Sequence, residues 1–305
     1  MPSEDPPHPD PLPGYPTQRV PGGGEGTEEF PSAQHITELA TRSTDTRVGG
    51  HSPKSAIKNH KSSMRLDVLL LPREIPVRPR PDLYAVVIDV LRATTSIVVA
   101  FQHGCRSVLP VANAEEARAA RAASPDAVLA GEAGGLRVPG FDLGNSPREF
   151  TREAVGGRDL ILTTSNGTKT LRAVAAGRTV AIGAFRNRSA VADWLVGRGA
   201  DSLIVCSGYE GGFSLEDAVC AGAIVDRAAQ LATGLILGDG ARACHTLWAR
   251  FGSDLVRLFR ETDWGRRMLA LGFEGDLAVC AELDATSVVP LMQGVRITLD
   301  RPTTP

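Results

Sequence analysis

The segment Tyr84-Ala-Val-Val-Ile-Asp-Val-Leu-Arg-Ala-Thr-Thr-Ser96 passes from a short apolar run directly into polar side chains. A run of this length, rich in β-branched residues, is typical of a strand that is buried on both faces. The polar part, which begins at Asp89, is typical of a loop that leads into a helix. The segment therefore predicts a strand, a loop and a helix in succession, as in an α/β protein.

The same alternation recurs along the chain from residue 64 onward. Apolar runs predict strands at 65–71, 84–90, 107–110, 127–130, 160–164, 179–182 and 202–206. Longer amphipathic segments predict helices at 115–123, 168–176, 188–197 and 215–231. Short strands that alternate with such helices indicate an α/β fold with largely parallel or mixed sheets flanked by helices. In such folds ligands bind beyond the carboxyl ends of the strands.

The C-terminal part of the chain has a different pattern. Residues 241–259 and 263–271 are predicted to be helical, and residues 288–299 to form a closing strand or hairpin. We expect this part either to extend the sheet or to form a smaller lobe, with a boundary near residues 200–240.

The first 63 residues differ in composition from the rest. Ten of the 21 prolines lie there, together with a Gly22-Gly23-Gly24 run and no sustained apolar periodicity. Such a stretch buries too little apolar surface to offset the cost of ordering the chain, so we interpret it as a disordered leader. Because the composition changes abruptly at Met64, Met64 is also a candidate for the true start of the protein.

Removal of residues 1–63 is therefore expected to leave the fold and the activity intact. A variant that begins at Met64 should melt at the temperature of the full chain, because the apolar runs all lie after that residue. A large loss of melting temperature in the shortened protein would contradict this prediction.

Charge and cysteine content exclude several classes of protein. The formal net charge of −2 gives no general electrostatic reason to expect nucleic acid or an anionic membrane as a partner. Five cysteines, an odd number with no Cys-x-x-Cys pair, favour a reducing compartment, so we expect a cytoplasmic protein. No apolar run approaches the roughly 18 residues of a membrane span. Oligomeric state is left open, although a homodimer is the commonest assembly.

Four polar segments that each follow a predicted strand are called junctions here. The first junction follows the apolar run 86–88. Asp89 could ligate a hard cation there, and the planar fork of Arg92 could bind phosphate. Thr94, Thr95 and the serine after them could donate hydrogen bonds at a helix N-terminus. The alternative is that Asp89 caps the next helix and Arg92 pairs with a surface carboxylate. The density of anion-binding groups favours a functional role.

Two more junctions carry similar chemistry. Residues 131–147 bring the carboxylates Glu132 and Asp142 together with several glycines, and end in Asn145-Ser146-Pro147, which also suits a helix cap. Residues 163–168 read Thr-Thr-Ser-Asn-Gly-Thr, a hydroxyl-rich turn that offers donors to an oxyanion and equally suits a capped turn.

The fourth junction runs from Cys206 through a glycine-rich loop to Glu216 and Asp217. It lacks the lysine of a P-loop and does not match the dinucleotide fingerprint. Metal binding by the two acidic residues and simple stabilisation of the first helical turn are weighed equally. Cys206 is more typical of a small buried residue than of a nucleophile.

Taken together and in this order, the four junctions resemble the 2-phosphosulfolactate phosphatase (ComB) family, over residues 64–299. The resemblance implies a ComB-like α/β architecture and Mg²⁺-dependent hydrolysis of a phosphate monoester on a small sulfonated hydroxy acid. The family acts in coenzyme M biosynthesis in methanogens, and its relatives also occur in bacteria that lack this pathway. Substrate identity therefore transfers less safely than reaction type.

The candidate site residues follow from the junctions and the resemblance. The predicted catalytic residues are Asp89 and Arg92. The predicted substrate-binding residues are Thr94, Thr95, Asn145, Ser146, Asn166, Gly167 and Thr168. The predicted metal ligands are Asp89, Glu132, Asp142, Glu216 and Asp217. Whether water or Asp89 attacks the phosphorus is left open.

One position departs from the family pattern as we expect it. Where an arginine should follow the glutamate of the Gly-Glu loop, this chain has Ala133. Either Arg137 takes that role or the protein acts on a different phosphorylated hydroxy acid. A catalytically silent anion-binding protein is the alternative from another class. A haloacid-dehalogenase-like phosphatase is excluded because Leu91, and not an aspartate, stands two residues after Asp89.

Overall fold

The computed structural model describes residues 64–75, 82–175 and 178–299. The predictions for residues 1–63 lie outside the described residues. Among the described residues, no helix is both long and apolar enough to cross a membrane.

The strands of the described chain form one mixed sheet. Their bounds are β1 Arg65–Leu69, β2 Tyr84–Ile88, β3 Ser107–Val111, β4 Val128–Ala133, β5 Leu136–Arg137, β6 Asp159–Thr163, β7 Val180–Gly183, β8 Ser202–Cys206, β9 Ile236–Leu237, β10 Pro290–Gln293 and β11 Arg296–Leu299. Their order across the sheet is β5-β4-β6-β3-β11-β10-β7-β2-β8-β1-β9. All seven predicted strands are present, within a few residues of the predicted bounds.

The helices connect and cover these strands. Their bounds are α1 Ala93–Gln102, α2 Ala114–Ala123, α3 Arg152–Val155, α4 Gly167–Val174, α5 Arg188–Arg198, α6 Leu215–Leu231, α7 Asp239–Phe251, α8 Leu255–Glu261, α9 Asp263–Ala270 and α10 Glu274–Ala281. The α/β fold with a large mixed sheet flanked by helices is confirmed.

Two sets of parallel strands are joined by an antiparallel hairpin. One set is β7-β2-β8-β1-β9 and the other is β3-β6-β4. The hairpin β10-β11 lies between them: β10 is antiparallel to β7 and β11 is antiparallel to β3, so the two parallel sets run in opposite directions in the sheet. The predicted hairpin near the C-terminus therefore exists, and it lies at the centre of the sheet.

Helices α1 and α4 pack between the two sets. Val87 of β2 faces a core that contains Ile97 of α1, Leu171 of α4 and Leu162 of β6. Val86, the neighbour of Val87, points to the opposite face and packs in the core of helices α5 and α6. Side chains of a strand alternate between its faces, so burial on both sides explains why the run 84–88 is continuously apolar.

The C-terminal helices belong to the same compact unit as the sheet. The predicted helix at 241–259 is wrong as a single element, because α7 ends at Phe251 and α8 begins at Leu255. The break follows Gly252, and Asp254 caps α8 by accepting a hydrogen bond from the Arg257 N–H at 3.0 Å. A helix that the sequence reading missed, α10, follows α9.

Helices α6 and α7 approach closely at Gly222. A Cβ at this position would lie 2.0 Å from the Cys244 carbonyl oxygen and 2.9 Å from Trp248 Cβ. Because a backbone carbonyl cannot move aside as a side chain can, Gly222→Ala is expected to lower the free energy of unfolding by at least about 1–3 kcal/mol. Urea denaturation measures this change.

Gly197 of α5 provides the matched control. Its Cβ would meet no atom within 4 Å. Replacing an unconstrained helical glycine by alanine removes conformational freedom from the unfolded chain, so Gly197→Ala should raise the stability by roughly 0.5–1 kcal/mol. Equal stability of the Gly222→Ala protein and the wild type would contradict the close approach of the two helices.

Candidate active site

A cleft of about 630 Å³, part of it open to solvent, lies beyond the carboxyl ends of β2, β4, β6 and β8. Each of the four predicted junctions contributes to it. The lining residues are Asp89, Leu91, Arg92, Glu132, Gly134, Asn145, Thr164, Ser165, Asn166, Gly208, Tyr209, Glu210, Ser214, Glu216, Asp217 and Trp264.

Asp89 lies at the end of β2 and is buried. Its carboxylate accepts a hydrogen bond from the Ala93 N–H at 3.2 Å, at the start of α1. Burial raises the pKa of Asp89 to about 7. The Ala93 and Gly167 N–H groups lower this pKa, and repulsion from Glu132 and Glu216 raises it further. Near neutral pH Asp89 can therefore both accept and release a proton.

Gly167 packs directly against this carboxylate. A Cβ at position 167 would lie 2.6 Å from Asp89 Oδ2 and 2.6 Å from the Ala93 Cβ. The close approach explains why the turn into α4 carries a glycine, since any side chain would displace Asp89 or helix α1. The absence of a side chain at Gly167 thus leaves room for the Asp89 carboxylate beside the cleft.

Asp217 joins two of the loops that form the cleft. Its Oδ1 accepts a hydrogen bond from the Val90 N–H at 2.9 Å, and its Oδ2 accepts one from the Gly208 N–H at 3.2 Å. Burial, followed by repulsion from Asp89 and Glu216, raises the pKa of Asp217 well above its usual range, against the lowering effect of the two donors. Besides complementing the dipole of α6, Asp217 therefore holds the loops after β2 and β8 together.

Glu216 and Glu132 complete the acidic lining. Burial raises the pKa of Glu216, although hydrogen bonds with Ser214 and Thr262 lower it. Glu132 accepts hydrogen bonds from the Ser165 N–H at 2.6 Å and from the Gly135 N–H at 2.8 Å. Its carboxylate thus joins the loop after β4 to the loop after β6.

The predicted hydroxyl donors divide into two groups. Thr94, Thr95 and Thr168 are fully buried and bond locally: Thr94 Oγ1 donates to the Asp89 carbonyl at 2.9 Å, and Thr95 Oγ1 donates to the Val90 carbonyl at 2.8 Å. Thr168 Oγ1 donates to the Thr164 carbonyl at 3.2 Å. These three shape the loops and do not line the cleft. Asn166 does line it.

Asn145 and Ser146 approach the cleft from the loop before residue 147. Asn145 lines the cleft, and its buried Oδ1 has no hydrogen-bond partner among the described residues. Ser146 Oγ donates to Asp276 Oδ1 at 2.6 Å. Asn145 therefore remains a candidate for ligand binding, whereas Ser146 is engaged within the protein.

Arg92 lines the cleft with its guanidinium already bonded on two sides. Nη1 donates to Asp276 Oδ2 at 2.8 Å, and Nη2 donates to the Gly135 carbonyl at 2.7 Å. The guanidinium carbon lies 4.1 Å from the centroid of the Phe273 ring. Its buried Nε has no partner among the described residues. The contact of Arg92 with phosphate remains a prediction. Only the N–H groups of the guanidinium that are not used in these two hydrogen bonds are available for such a contact.

Asp142 is not brought to the cleft. It accepts hydrogen bonds from the Leu129 N–H at 2.9 Å and from Arg121 Nη1 at 2.8 Å. Burial raises the pKa of Asp142, but the Leu129 N–H and then the Arg121 guanidinium lower it below its usual value. Nothing in its surroundings supports a role as a metal ligand. Arg137, the expected replacement for the missing arginine, donates to the Asp142 carbonyl at 3.3 Å and does not line the cleft either.

The C-terminal helices contribute residues that the sequence pattern does not predict. Trp264 of α9 lines the cleft, where its indole N–H donates to the Leu91 carbonyl and its ring lies 5.1 Å from that of Tyr209. Asp276 and Phe273 hold Arg92. None of these residues follows a strand, so the rule of searching at strand ends could not find them. Cys206 is fully buried, and burial raises the pKa of its thiol well above the usual range, as expected for a packing residue.

The donor set of the cleft fits Mg²⁺. Five carboxyl side chains line one cleft, those of Asp89, Glu132, Glu210, Glu216 and Asp217. The guanidinium of Arg92 is paired with Asp276. Within the described residues, no group of three or more Asp, Glu, His or Cys side chains is arranged to ligate a single metal ion. Mg²⁺ usually keeps several waters and binds one or two carboxylates together with substrate phosphate, so it does not require such a cage.

Comparison with known proteins agrees with this geometry. The sequence profile of the family described as 2-phosphosulpholactate phosphatase matches residues 69–294. The chain is 40% identical over 235 residues to a probable 2-phosphosulfolactate phosphatase of Parasynechococcus marenigrum, covering 75% of this chain and 97% of the relative. A protein with the same description from Thermotoga petrophila is 38% identical over 238 residues, which are 78% of this chain and 100% of the relative.

A third relative extends the comparison to another organism. The chain is 39% identical over 227 residues to a probable 2-phosphosulfolactate phosphatase of Carboxydothermus hydrogenoformans, covering 74% of this chain and 92% of the relative. The match spans all four junctions and the C-terminal helices that close the cleft. On this evidence the chain belongs to the 2-phosphosulfolactate phosphatase family.

Proposed function

We propose that this protein is a Mg²⁺-dependent phosphatase that hydrolyses the phosphate monoester of a small acidic hydroxy acid, with 2-phosphosulfolactate as the first substrate to test. The relatives carry that substrate in their names, and the chain matches almost their whole length. We also propose a cytoplasmic location, because the five cysteines are buried free thiols, which suit a reducing compartment.

The charge of the cleft is the observation that carries the proposal. Its lining contains five carboxylates, those of Asp89, Glu132, Glu210, Glu216 and Asp217, against one guanidinium that is neutralised by Asp276. Burial and repulsion from neighbouring carboxylates raise the pKa of Asp89, Glu216 and Asp217, so these carboxyl groups cannot all ionise without a counter-charge. Where they do ionise, they repel a phosphate ester that carries further acidic groups. A divalent cation removes the conflict, and when bound it neutralises charge that develops on the transferring phosphoryl group.

The residues of the chain then have distinct roles. Asp89 is placed to accept a proton from an attacking water or to attack the phosphorus itself, and both alternatives stay open. Asn166 and Ser165, at the start of α4, can donate hydrogen bonds to phosphoryl oxygens at the positive end of the helix. Glu132 fixes this turn through its bond to the Ser165 N–H. Trp264 and Tyr209, whose rings are in contact, line one side of the cleft with apolar surface.

One observation favours a substrate other than the sulfonated one. Neither Ala133 nor Arg137 lines the cleft, so its described lining lacks the additional arginine that would bind a sulfonate. 2-Phospholactate, which keeps the carboxylate and lacks the sulfonate, therefore belongs in the first substrate screen beside 2-phosphosulfolactate.

Phosphate release from purified protein tests the proposal. The screen compares 2-phosphosulfolactate, 2-phospholactate and p-nitrophenyl phosphate, each with Mg²⁺ and with a chelator. We expect rapid release from at least one acidic ester in Mg²⁺, weak release from p-nitrophenyl phosphate, and none in the chelator. Binding of the esters without any turnover would instead identify a silent anion-binding protein. Full activity in the chelator would overturn the metal requirement.

A further inference from the structure

Helix α10 places a fully buried carboxylate behind the wall of the cleft. Asp276 Oδ2 accepts a hydrogen bond from Arg92 Nη1 at 2.8 Å, and its Oδ1 accepts one from Ser146 Oγ at 2.6 Å. The side chain of Asp276 is 2% exposed and that of Arg92 is 1% exposed. The carboxylate of Asp276 thus connects helix α10 to two of the junctions that surround the cleft, through Arg92 in the first and Ser146 in the second.

The partners of Arg92 fix its guanidinium in one plane and leave part of it free. The Gly135 carbonyl holds Nη2, and the Phe273 ring lies against the face of the group. Of the five N–H groups of an arginine, two are used in these hydrogen bonds. Nε is buried without a partner among the described residues. A buried donor without a partner is costly, which points to a ligand that accepts its hydrogen bond.

Stability alone does not account for such an ion pair. A buried pair is often no more stabilising than apolar side chains of the same volume, because both charges lose their hydration. Arg92 of this ion pair lines the cleft. The two oxygens of Asp276 accept hydrogen bonds from Arg92 and Ser146, which belong to two of the junctions that form the cleft. Its position therefore favours a role in holding the cleft residues in place.

We propose that Asp276 is a positioning residue for the reaction, which acts by orienting the guanidinium of Arg92 toward the phosphoryl group, while the hydrogen bond from Ser146 holds the Asp276 carboxylate itself in place. This inference rests on the proposed function of the cleft. In the absence of the Asp276 carboxylate the Arg92 side chain keeps its charge and loses its fixed direction. Misplacement of a catalytic group by about 1 Å can lower the rate on the order of 10²-fold.

A double-mutant cycle separates positioning from simple stabilisation. Asp276→Asn and Arg92→Lys are each expected to lower kcat/KM on the order of 10²-fold. If Asp276 acts through Arg92, the double variant should be about as active as Arg92→Lys alone, because the group that Asp276 orients is already gone. Losses that multiply in the double variant would overturn the proposal, as would unchanged kcat/KM in folded Asp276→Asn protein.

The C-terminal end of α10 offers a matched control. Glu282, which caps this helix, pairs with the buried Arg186 away from the cleft. Glu282→Gln removes an ion pair of the same helix and is expected to leave kcat and KM unchanged. A loss in Glu282→Gln equal to that in Asp276→Asn would show that α10 acts only through stability, and would overturn the proposal.

NMR of the arginine Nε–H groups gives a readout that does not depend on substrate. The Arg92 signal is assigned by its disappearance in Arg92→Lys, and we expect it to shift and broaden in Asp276→Asn while other arginine signals stay. An unchanged Arg92 signal would overturn the proposal even if turnover falls. A wild-type protein that hydrolyses no phosphoester would refute the proposed function and the catalytic part of this inference, while the NMR result decides the orientation of Arg92 separately.

Discussion

Asp89→Asn is expected to lower kcat on the order of 10²–10⁴-fold, the range associated with loss of a positioned acid or base. The neutral amide cannot accept a proton, attack phosphorus or bind Mg²⁺ as a carboxylate does. Asparagine has nearly the same shape, so the loss reports chemistry and not a change of packing. Steady-state phosphate release at saturating Mg²⁺ measures the change.

The stability of the variant separates catalysis from folding. The pKa of Asp89 in the folded protein, about 7, lies above its usual value of 3.8. In metal-free protein the stability that depends on Asp89 is therefore fully present below 3.8 and is lost as the pH rises through 7. Asparagine does not ionise, so metal-free Asp89→Asn should not show this loss and should be at least as stable as the wild type near pH 8.

Near-normal kcat in Asp89→Asn would reduce Asp89 to a helix cap, the alternative that its sequence position left open. A strongly lowered melting temperature at pH 8 would contradict the assignment of a costly charge at this position. Asp226→Asn is the control. Asp226 lies on α6 and pairs with His245 at 3.0 Å outside the cleft, so its replacement should leave turnover unchanged.

Asp217→Asn is expected to affect turnover and stability together. Its two oxygens accept hydrogen bonds from the Val90 and Gly208 N–H groups, and an amide offers only one oxygen. One buried N–H therefore faces the amide NH₂ without an acceptor, which costs about 1–3 kcal/mol. The loops after β2 and β8 are no longer held at a fixed distance, so kcat should fall at least on the order of 10²-fold.

Urea denaturation and phosphate release, measured on the same preparations, test this prediction. Asp226→Asn again provides the control, since it changes an aspartate on the same helix. Loss of stability with normal kcat would show that Asp217 serves the fold alone. Loss of kcat without loss of stability would show that the two hydrogen bonds contribute little and that the charge of Asp217 matters most.

The sequence predicts the strands that carry the site because each is a short apolar run bounded by polar residues. Asp89, Glu132 and Asn166 lie at the ends of such runs, and Asp217 lies in the first turn of the helix after β8. Strands β2 and β8 belong to one parallel set and β4 and β6 to the other, and the fold brings the ends of both sets to one cleft. The same rule fails for Asp142, which also follows a glycine-rich strand end and yet binds Leu129 and Arg121. Proximity to a strand end does not decide whether a side chain points toward the cleft or back toward its own loop.

The role of a hydroxyl group is equally hard to predict from the sequence. Threonine can bond to a nearby backbone carbonyl or to a ligand, and the sequence is the same in both cases. Thr94 and Thr95 take the first option. The contribution of α9 and α10 was also beyond prediction, because tertiary packing brings Trp264 to the cleft and Asp276 to Arg92 behind it, and no local pattern marks either residue.

The hairpin β10-β11 has a consequence for the order in which the chain can fold. It follows every other described strand in the sequence, and it supplies the hydrogen-bonding partners for β7 on one side and β3 on the other. During synthesis the two parallel sets emerge first, each with an unpaired edge strand that invites association with other chains. Folding should thus be slow and dominated by distant contacts, with the sheet closing only when its latest-made segment arrives.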